Sequence, residues 1–254
     1  MIATIALGLL LAPAGRPATA EPTTRFVRSP DGTRIAYDVS GSGPAVMLLH
    51  GGGQTRQVWR EAGYVTRLAP MFKVITVDLR GSGESDKPTT KAAYAIERLI
   101  EDLLAVADDA NAPEFSLWGF SYGANVGRYL AVRSARVTSM VYIGIPFGPA
   151  ADPMFRDIIL KRIQDGTAPP LGVAWTSALL EYPAVEPPDM RSPTLWVVGT
   201  KNTSAATSAD QYESELAGTR VQLVRLDGLT HPQELERIDV TLPRVLEFMR
   251  AQRH

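Results

Sequence analysis

A serine hydroxyl is a weak nucleophile at neutral pH. It needs a base beside it and donors for the negative charge it creates. Gly119-Phe120-Ser121-Tyr122-Gly123 is a G-x-S-x-G pattern between an apolar run, Phe115 to Trp118, and a helical stretch, Ala124 to Ala135. A strand-to-helix turn of this kind lifts its serine clear of a sheet. The residues two before and two after must be small, because they approach each other closely. The helix that opens there directs N–H groups toward a developing negative charge. Ser121 is the candidate nucleophile, and the Tyr122 N–H is a candidate oxyanion donor.

His50-Gly51-Gly52-Gly53 follows the apolar strand Ala45 to Leu49. Glycines there let backbone pass close to a bound group. Gly52 is the candidate second donor, and Gly53 is the neighbour able to replace it. The loop is not a phosphate cradle, because it lacks Gly-Lys-Ser/Thr and a G-x-G-x-x-G with its following acid. His50 is expected to brace the loop. His231, in Gly228-Leu229-Thr230-His231-Pro232, lies between the last strand and the last helix and is the candidate general base. The chain has three histidines in all, and the third, His254, is the final residue.

These residues need elements to hold them. Buried strands are expected at Ala45–Leu49, Lys73–Val77, Phe115–Trp118, Val137–Ile145, Leu195–Val198 and Val221–Leu226. A hairpin precedes them, over Phe26–Arg28 and Arg34–Val39. Tyr94 to Ala110 has helical spacing through Ile96, Leu99, Leu103, Leu104 and Val106. Such alternation implies an α/β fold: a mostly parallel sheet with helices on both faces and its site at the C-terminal strand ends. The segment 146–193 breaks the rhythm. It reads as a short lid with helical candidates Phe155–Ile163 and Val173–Leu180. Phe147, Met154, Phe155, Trp175 and Tyr182 are its candidates for lining an apolar pocket.

At 254 residues the chain suits one large domain. The formal net charge of −1 gives no field for nucleic acid, and no reading motif or basic stripe is present. The absence of cysteine removes thiolate chemistry, and three histidines argue against a zinc site. No metal or organic cofactor is expected. Ile2 to Ala12 is almost unbroken apolar sequence, too short to span a bilayer. Ala18-Thr19-Ala20 then offers a small-x-small cleavage site. Residues 1–20 are therefore expected to be a signal peptide, although without Lys or Arg ahead of the apolar run. Residues 21–254 are the mature domain. The expected location is secreted or periplasmic, otherwise cytoplasmic, with no integral membrane association.

Four features in order resemble the α/β-hydrolase superfamily, from about Phe26 to the end. They are His50-Gly51-Gly52-Gly53, then Asp78-Leu79-Arg80-Gly81-Ser82-Gly83-Glu84-Ser85, then the turn at Ser121, then Gly228 to His231. The second is similar to the family's D-x-R-G-x-G-x-S turn, which is usually structural. The resemblance implies an eight-stranded, mostly parallel sheet and a Ser-acid-His mechanism.

The acid departs from the pattern. In the family it usually lies after the penultimate strand, three residues past a glycine. Here that position, in Gly199-Thr200-Lys201-Asn202-Thr203, is Asn202. Three readings stay open. Asn202 could orient His231 by accepting its N–H through the amide oxygen. Asp152, the first acidic residue after the preceding strand, could serve instead. Or turnover could be weak or absent, leaving a ligand-binding protein. Asp227 and Glu234 lie close to His231 in sequence, and neighbours that close are expected not to reach the far side of the imidazole. The function expected is hydrolysis of a carboxylic ester or related small-molecule acyl compound through an acyl-enzyme. Lactone, amide, carbon–carbon and peracid chemistry stay open. Dehalogenases and epoxide hydrolases of this fold use an Asp nucleophile, so Ser121 argues against both.

Overall fold

Strands made wholly of apolar residues must be covered on both faces, because alternate side chains point to opposite sides. The computed structural model describes residues 23–167 and 170–252, without the side chains at 154, 170 and 171. The leader expected at 1–20, His254 and the side chain of Met154 thus lie outside the described residues. The strands are Arg25–Arg28 (β1), Arg34–Ser40 (β2), Ala45–Leu49 (β3), Lys73–Val77 (β4), Phe115–Phe120 (β5), Val137–Ile143 (β6), Thr194–Gly199 (β7) and Val221–Leu226 (β8). They form one eight-stranded sheet in the order β1-β2-β4-β3-β5-β6-β7-β8. β2 is antiparallel to β1 and β4, and every other pairing is parallel. The expected architecture is present.

The helices are Val58–Glu61 (α1), Tyr64–Leu68 (α2), Ile96–Asp109 (α3), Tyr122–Arg133 (α4), Pro153–Gln164 (α5), Pro170–Leu179 (α6), Thr203–Tyr212 (α7), Gln233–Glu236 (α8) and Ile238–Ala251 (α9). Alternation along β3 divides the core in two. Met47 and Leu49 pack with α3, α4 and α7 through residues such as Leu103, Leu130 and Ala205. Val46 and Leu48 pack with α1, α2 and α9 through Trp59, Leu68 and Val245. Helices therefore cover both faces.

Within 146–193 the chain forms α5, α6 and a short 3-10 turn, Pro187–Asp189. Its base is closed by an antiparallel bridge in which Gly148 and Val185 exchange hydrogen bonds of 2.8 and 3.1 Å. Two tyrosines bolt it to the domain. Tyr142 on β6 donates to the Pro146 carbonyl at 2.6 Å, and Tyr129 on α4 donates to the Pro183 carbonyl at 2.6 Å. Between them lies the buried Arg128, which donates to the Tyr142 hydroxyl at 3.1 Å.

Candidate active site

β5 ends where α4 begins, and Ser121 makes the whole turn. Its φ of 53° and ψ of −119° fall where L residues are strained. The flanking glycines are required by contact. A Cβ on Gly119 would lie 2.3 Å from the Ala124 Cα, and one on Gly123 would lie 2.3 Å from the Leu49 carbonyl oxygen. The strain presents the Ser121 hydroxyl to His231, whose Nε2 is 3.0 Å from Oγ. The Tyr122 N–H opens the first turn of α4, where helical N–H groups have no partner within the helix. Gly52 lies against the Tyr122 side chain, since a Cβ there would come 3.7 Å from the Tyr122 Cβ.

His50 braces, as its sequence position suggests. It is buried, with Nδ1 2.7 Å from the Gly51 carbonyl and Nε2 accepting the Leu79 N–H at 3.1 Å. Burial holds its pKa below the ordinary 6.5, so it is a neutral strut. The turn from Asp78 to Ser85 is structural too. The Asp78 carboxylate accepts the N–H groups of Arg56 at 2.6 Å and Glu84 at 2.8 Å and pairs with the Arg56 guanidinium. Arg80 is buried and forks onto Asp102 at 2.9 and 2.7 Å.

The group that meets the far nitrogen of His231 is Glu234. Its Oε2 lies 2.9 Å from Nδ1, and the side chain is fully buried. The expectation that a residue so near in sequence cannot reach is overturned. Residues 231–236 are not extended loop: Glu234 lies in the one-turn helix α8, and its N–H bonds to the Thr230 carbonyl at 3.1 Å. Residues three apart around such a turn share a face. The turn is pinned by Gln233, whose Oε1 accepts the Thr230 N–H and hydroxyl, both at 3.0 Å. The legible signal was the i, i+3 spacing of His231 and Glu234 around Pro232.

Both other candidates for the acid's place are corrected. Asn202 does not accept from His231. Its side-chain nitrogen donates to the Gly144 carbonyl at 2.9 Å and to Glu234 Oε1 and Oε2 at 3.0 and 3.1 Å, while Oδ1 faces the Ala205 N–H at the start of α7. The carboxylate and the carbonyl can only accept, so the amide must turn its NH₂ toward them. Asp152 is the N-cap of α5, a role its Pro153 neighbour favours. Its oxygens accept the Phe155 N–H at 3.0 Å and the Ser204 hydroxyl at 2.8 Å, and neither contacts His231.

Glu234 completes its coordination through Oε1, which accepts the Gly199 N–H at 2.6 Å. Gly144 is a further site residue that the sequence did not single out. Its φ is +81°, and a Cβ there would fall 2.3 Å from Glu234 Oε2 and 2.8 Å from His231 Nδ1. On the other side the Phe120 ring stacks on the imidazole, with centroids 4.8 Å apart.

Ser121 and His231 open into a cavity of about 960 Å³. Phe155, Ile158 and Ile159 of α5 and Trp175 and Leu179 of α6 give it an apolar wall. Of the expected lining residues, Phe155 and Trp175 serve. Phe147 and Tyr182 instead pack inward. Phe147 meets Tyr142 and Trp196, while the Tyr182 hydroxyl donates to the Tyr94 carbonyl. Among the described residues no cluster of three metal-ligating side chains occurs, and no helix is long and apolar enough to cross a membrane.

A family model described as alpha/beta hydrolase fold matches residues 44–186. An uncharacterised protein of Mycobacterium tuberculosis is 40% identical over 166 residues, which are 57% of this chain and 46% of that protein. The pimeloyl-[acyl-carrier protein] methyl ester esterase of Vibrio campbellii is 33% identical over 153 residues, 59% of this chain and 52% of its own. The chain thus spans about half the length of these curated relatives. Among solved structures, an epoxide hydrolase from Vigna radiata superposes with a TM-score of 0.69 over 93% of this chain and 100% of its own. At 18% identity that likeness is one of fold.

Proposed function

The chain belongs to the α/β-hydrolase fold family, and from that premise we propose that it is a serine hydrolase cleaving a carboxylic ester through an acyl-enzyme. The observation that carries this reading is the continuous chain Ser121 Oγ, His231, Glu234, with contacts of 3.0 and 2.9 Å. His231 Nε2 takes the serine proton as Oγ attacks the substrate carbonyl. Glu234, itself accepting from Gly199 and Asn202, holds the Nδ1–H and balances the imidazolium charge. The N–H groups of Tyr122 and Gly52 receive the oxyanion. The tetrahedral intermediate collapses, the C–O bond to the leaving alcohol breaks, and His231 returns the proton to that alcohol. Water, deprotonated by the same imidazole, then frees the acid. The apolar wall of α5 and α6 suits the acyl chain.

Relatives named for ester and for epoxide hydrolysis share the fold, and the identity of the nucleophile favours the ester. A carboxylate that opens an epoxide becomes an ester, which water can cleave at its carbonyl. Ser121 opening an epoxide would become an ether with no carbonyl to attack, and the enzyme would stay alkylated. A fluorophosphonate probe tests the reading. Native protein is expected to label and to hydrolyse 4-nitrophenyl esters, while Ser121→Ala does neither, and styrene oxide is not turned over. Native protein that neither labels nor hydrolyses any ester points instead to a binding protein on this fold.

A further inference from the structure

Among the described residues, Glu234 Oε2 at 2.9 Å and the side-chain nitrogen of Asn202 at 3.2 Å lie within hydrogen-bond distance of His231 Nδ1. Resting on the reading of Ser121 and His231 as nucleophile and base, we propose that Asn202 is the positioning residue of the acid, and that the carboxylate serving His231 can stand at either position 202 or position 234.

The amide has two N–H bonds to give. One goes to the Gly144 carbonyl at 2.9 Å, and the other bridges the two oxygens of Glu234 at 3.0 and 3.1 Å. Neither is left for the imidazole, so the Nδ1 proton is directed at Glu234. Asn202 is itself anchored. Its backbone N–H bonds to the Gly199 carbonyl at 2.9 Å, and its side-chain oxygen caps α7. Glu234 rides on a helix of a single turn, whereas Asn202 starts a helix of ten residues docked on the sheet. Asn202, anchored at its backbone and its side-chain oxygen, therefore fixes the Glu234 carboxylate. Pre-organisation of this kind bears on the transition state, in which the imidazolium needs the carboxylate in place.

The same geometry makes the two positions exchangeable. In Asn202→Asp with Glu234→Gln, the buried charge stays at −1 and moves about 3 Å. The amide introduced at 234 donates toward the carboxylate introduced at 202, reversing the polarity of the pair. It still offers an oxygen to the Gly199 N–H. The cost is twofold: the new carboxylate meets the Gly144 carbonyl acceptor to acceptor, and the amide NH₂ introduced at 234 replaces Oε2 beside His231 Nδ1, so the imidazole must turn its N–H toward position 202. Asn202→Asp alone sets two carboxylates at hydrogen-bond distance, where both cannot stay ionised. Glu234→Gln alone leaves no carboxylate.

The full chain and three variants are compared by steady-state ester hydrolysis and by proton NMR of the downfield Nδ1–H resonance of His231. Glu234→Gln is expected to lower kcat by about 10³- to 10⁴-fold with KM little changed, the scale of removing the charge from a triad acid, and to lose the resonance. The double variant is expected to regain the resonance and to recover kcat to within about tenfold of native, a smaller loss than that of the charge itself. Asn202→Ala, which keeps the acid, is expected to lower kcat by about 10- to 100-fold through misplacement alone and to shift the resonance. A double variant that folds yet matches Glu234→Gln in both readouts overturns the exchange. Native kcat and an unshifted resonance in Asn202→Ala overturn the positioning role. The resonance is read without substrate, so it decides this inference even where failure to label Ser121 has overturned the ester reading.

Discussion

Ser121 and Gly144 show two ways in which single residues meet the demands of one site. At Ser121 a side chain must be kept in a left-handed backbone conformation, and the turn is held by contacts on both sides: Gly119 against Ala124 and Gly123 against Leu49. At Gly144 a side chain must be absent, because the His231–Glu234 pair fills the space where a Cβ would stand. Gly144→Ala combines a left-handed φ, costing about 1–2 kcal/mol for an L residue, with a collision of 2.3 Å against Glu234. It is expected to lower kcat at least about 100-fold, the scale of displacing a reacting group by about 1 Å. Fluorophosphonate labelling should slow in proportion. Labelling at the native rate would mean that the pair tolerates displacement and that its geometry is not limiting.

The decisive elements are small. α8 is one turn, yet it brings Glu234 round to His231, and the Thr230–Gln233 contacts hold its entry. Gln233→Ala removes the acceptor of both Thr230 bonds. It is expected to cost about 1–2 kcal/mol of stability in urea unfolding and to lower kcat more than it raises KM. Two of the bonds that hold the segment 146–193 to the domain are Tyr142 to Pro146 and Tyr129 to Pro183. Each is worth about 1 kcal/mol. Tyr129→Phe and Tyr142→Phe are expected to leave the sheet intact and to speed proteolytic cleavage within 146–193, read by mass spectrometry of timed digests. Cleavage spread evenly over the chain would show that these bonds stabilise the domain as a whole and not the segment.

At the scale of the molecule, the sheet holds a neutral imidazole in its core. Burial keeps the His50 pKa below its ordinary value of 6.5, so the unfolded chain binds a proton that the folded chain refuses. The stability this gives is present above about pH 6.5 and is lost as pH falls below it, with a slope approaching about 1.4 kcal/mol per pH unit from one group. Urea unfolding at pH 7.5 and 5.5 is expected to show this loss in the native protein. His50→Gln, which lowers stability at both values, should show a flatter dependence on pH. An equal slope in both proteins would assign the acid sensitivity to other groups.

What depends on short-range pattern is legible in the residues. A short apolar run bounded by turn residues, such as Ala45–Leu49, reads as a buried strand, and the alternation of such runs with helical segments implies a mostly parallel sheet. A glycine two residues to either side of Ser121 already implies the tight turn, and the loop histidine after the last strand already implies a base at the same end of the sheet. Position 202 was legible as important, but its role was not. Whether an amide oxygen or an amide hydrogen faces His231 depends on which acceptors surround it, and these come from Gly144, just past β6, and from α8, distant in sequence. Only the folded chain brings Glu234 against His231. An i, i+3 neighbour reaches the imidazole only if the chain coils into a helical turn at that point, and only if Gly144 and Gly199, at the ends of two other strands, leave room for the carboxylate and give it a donor.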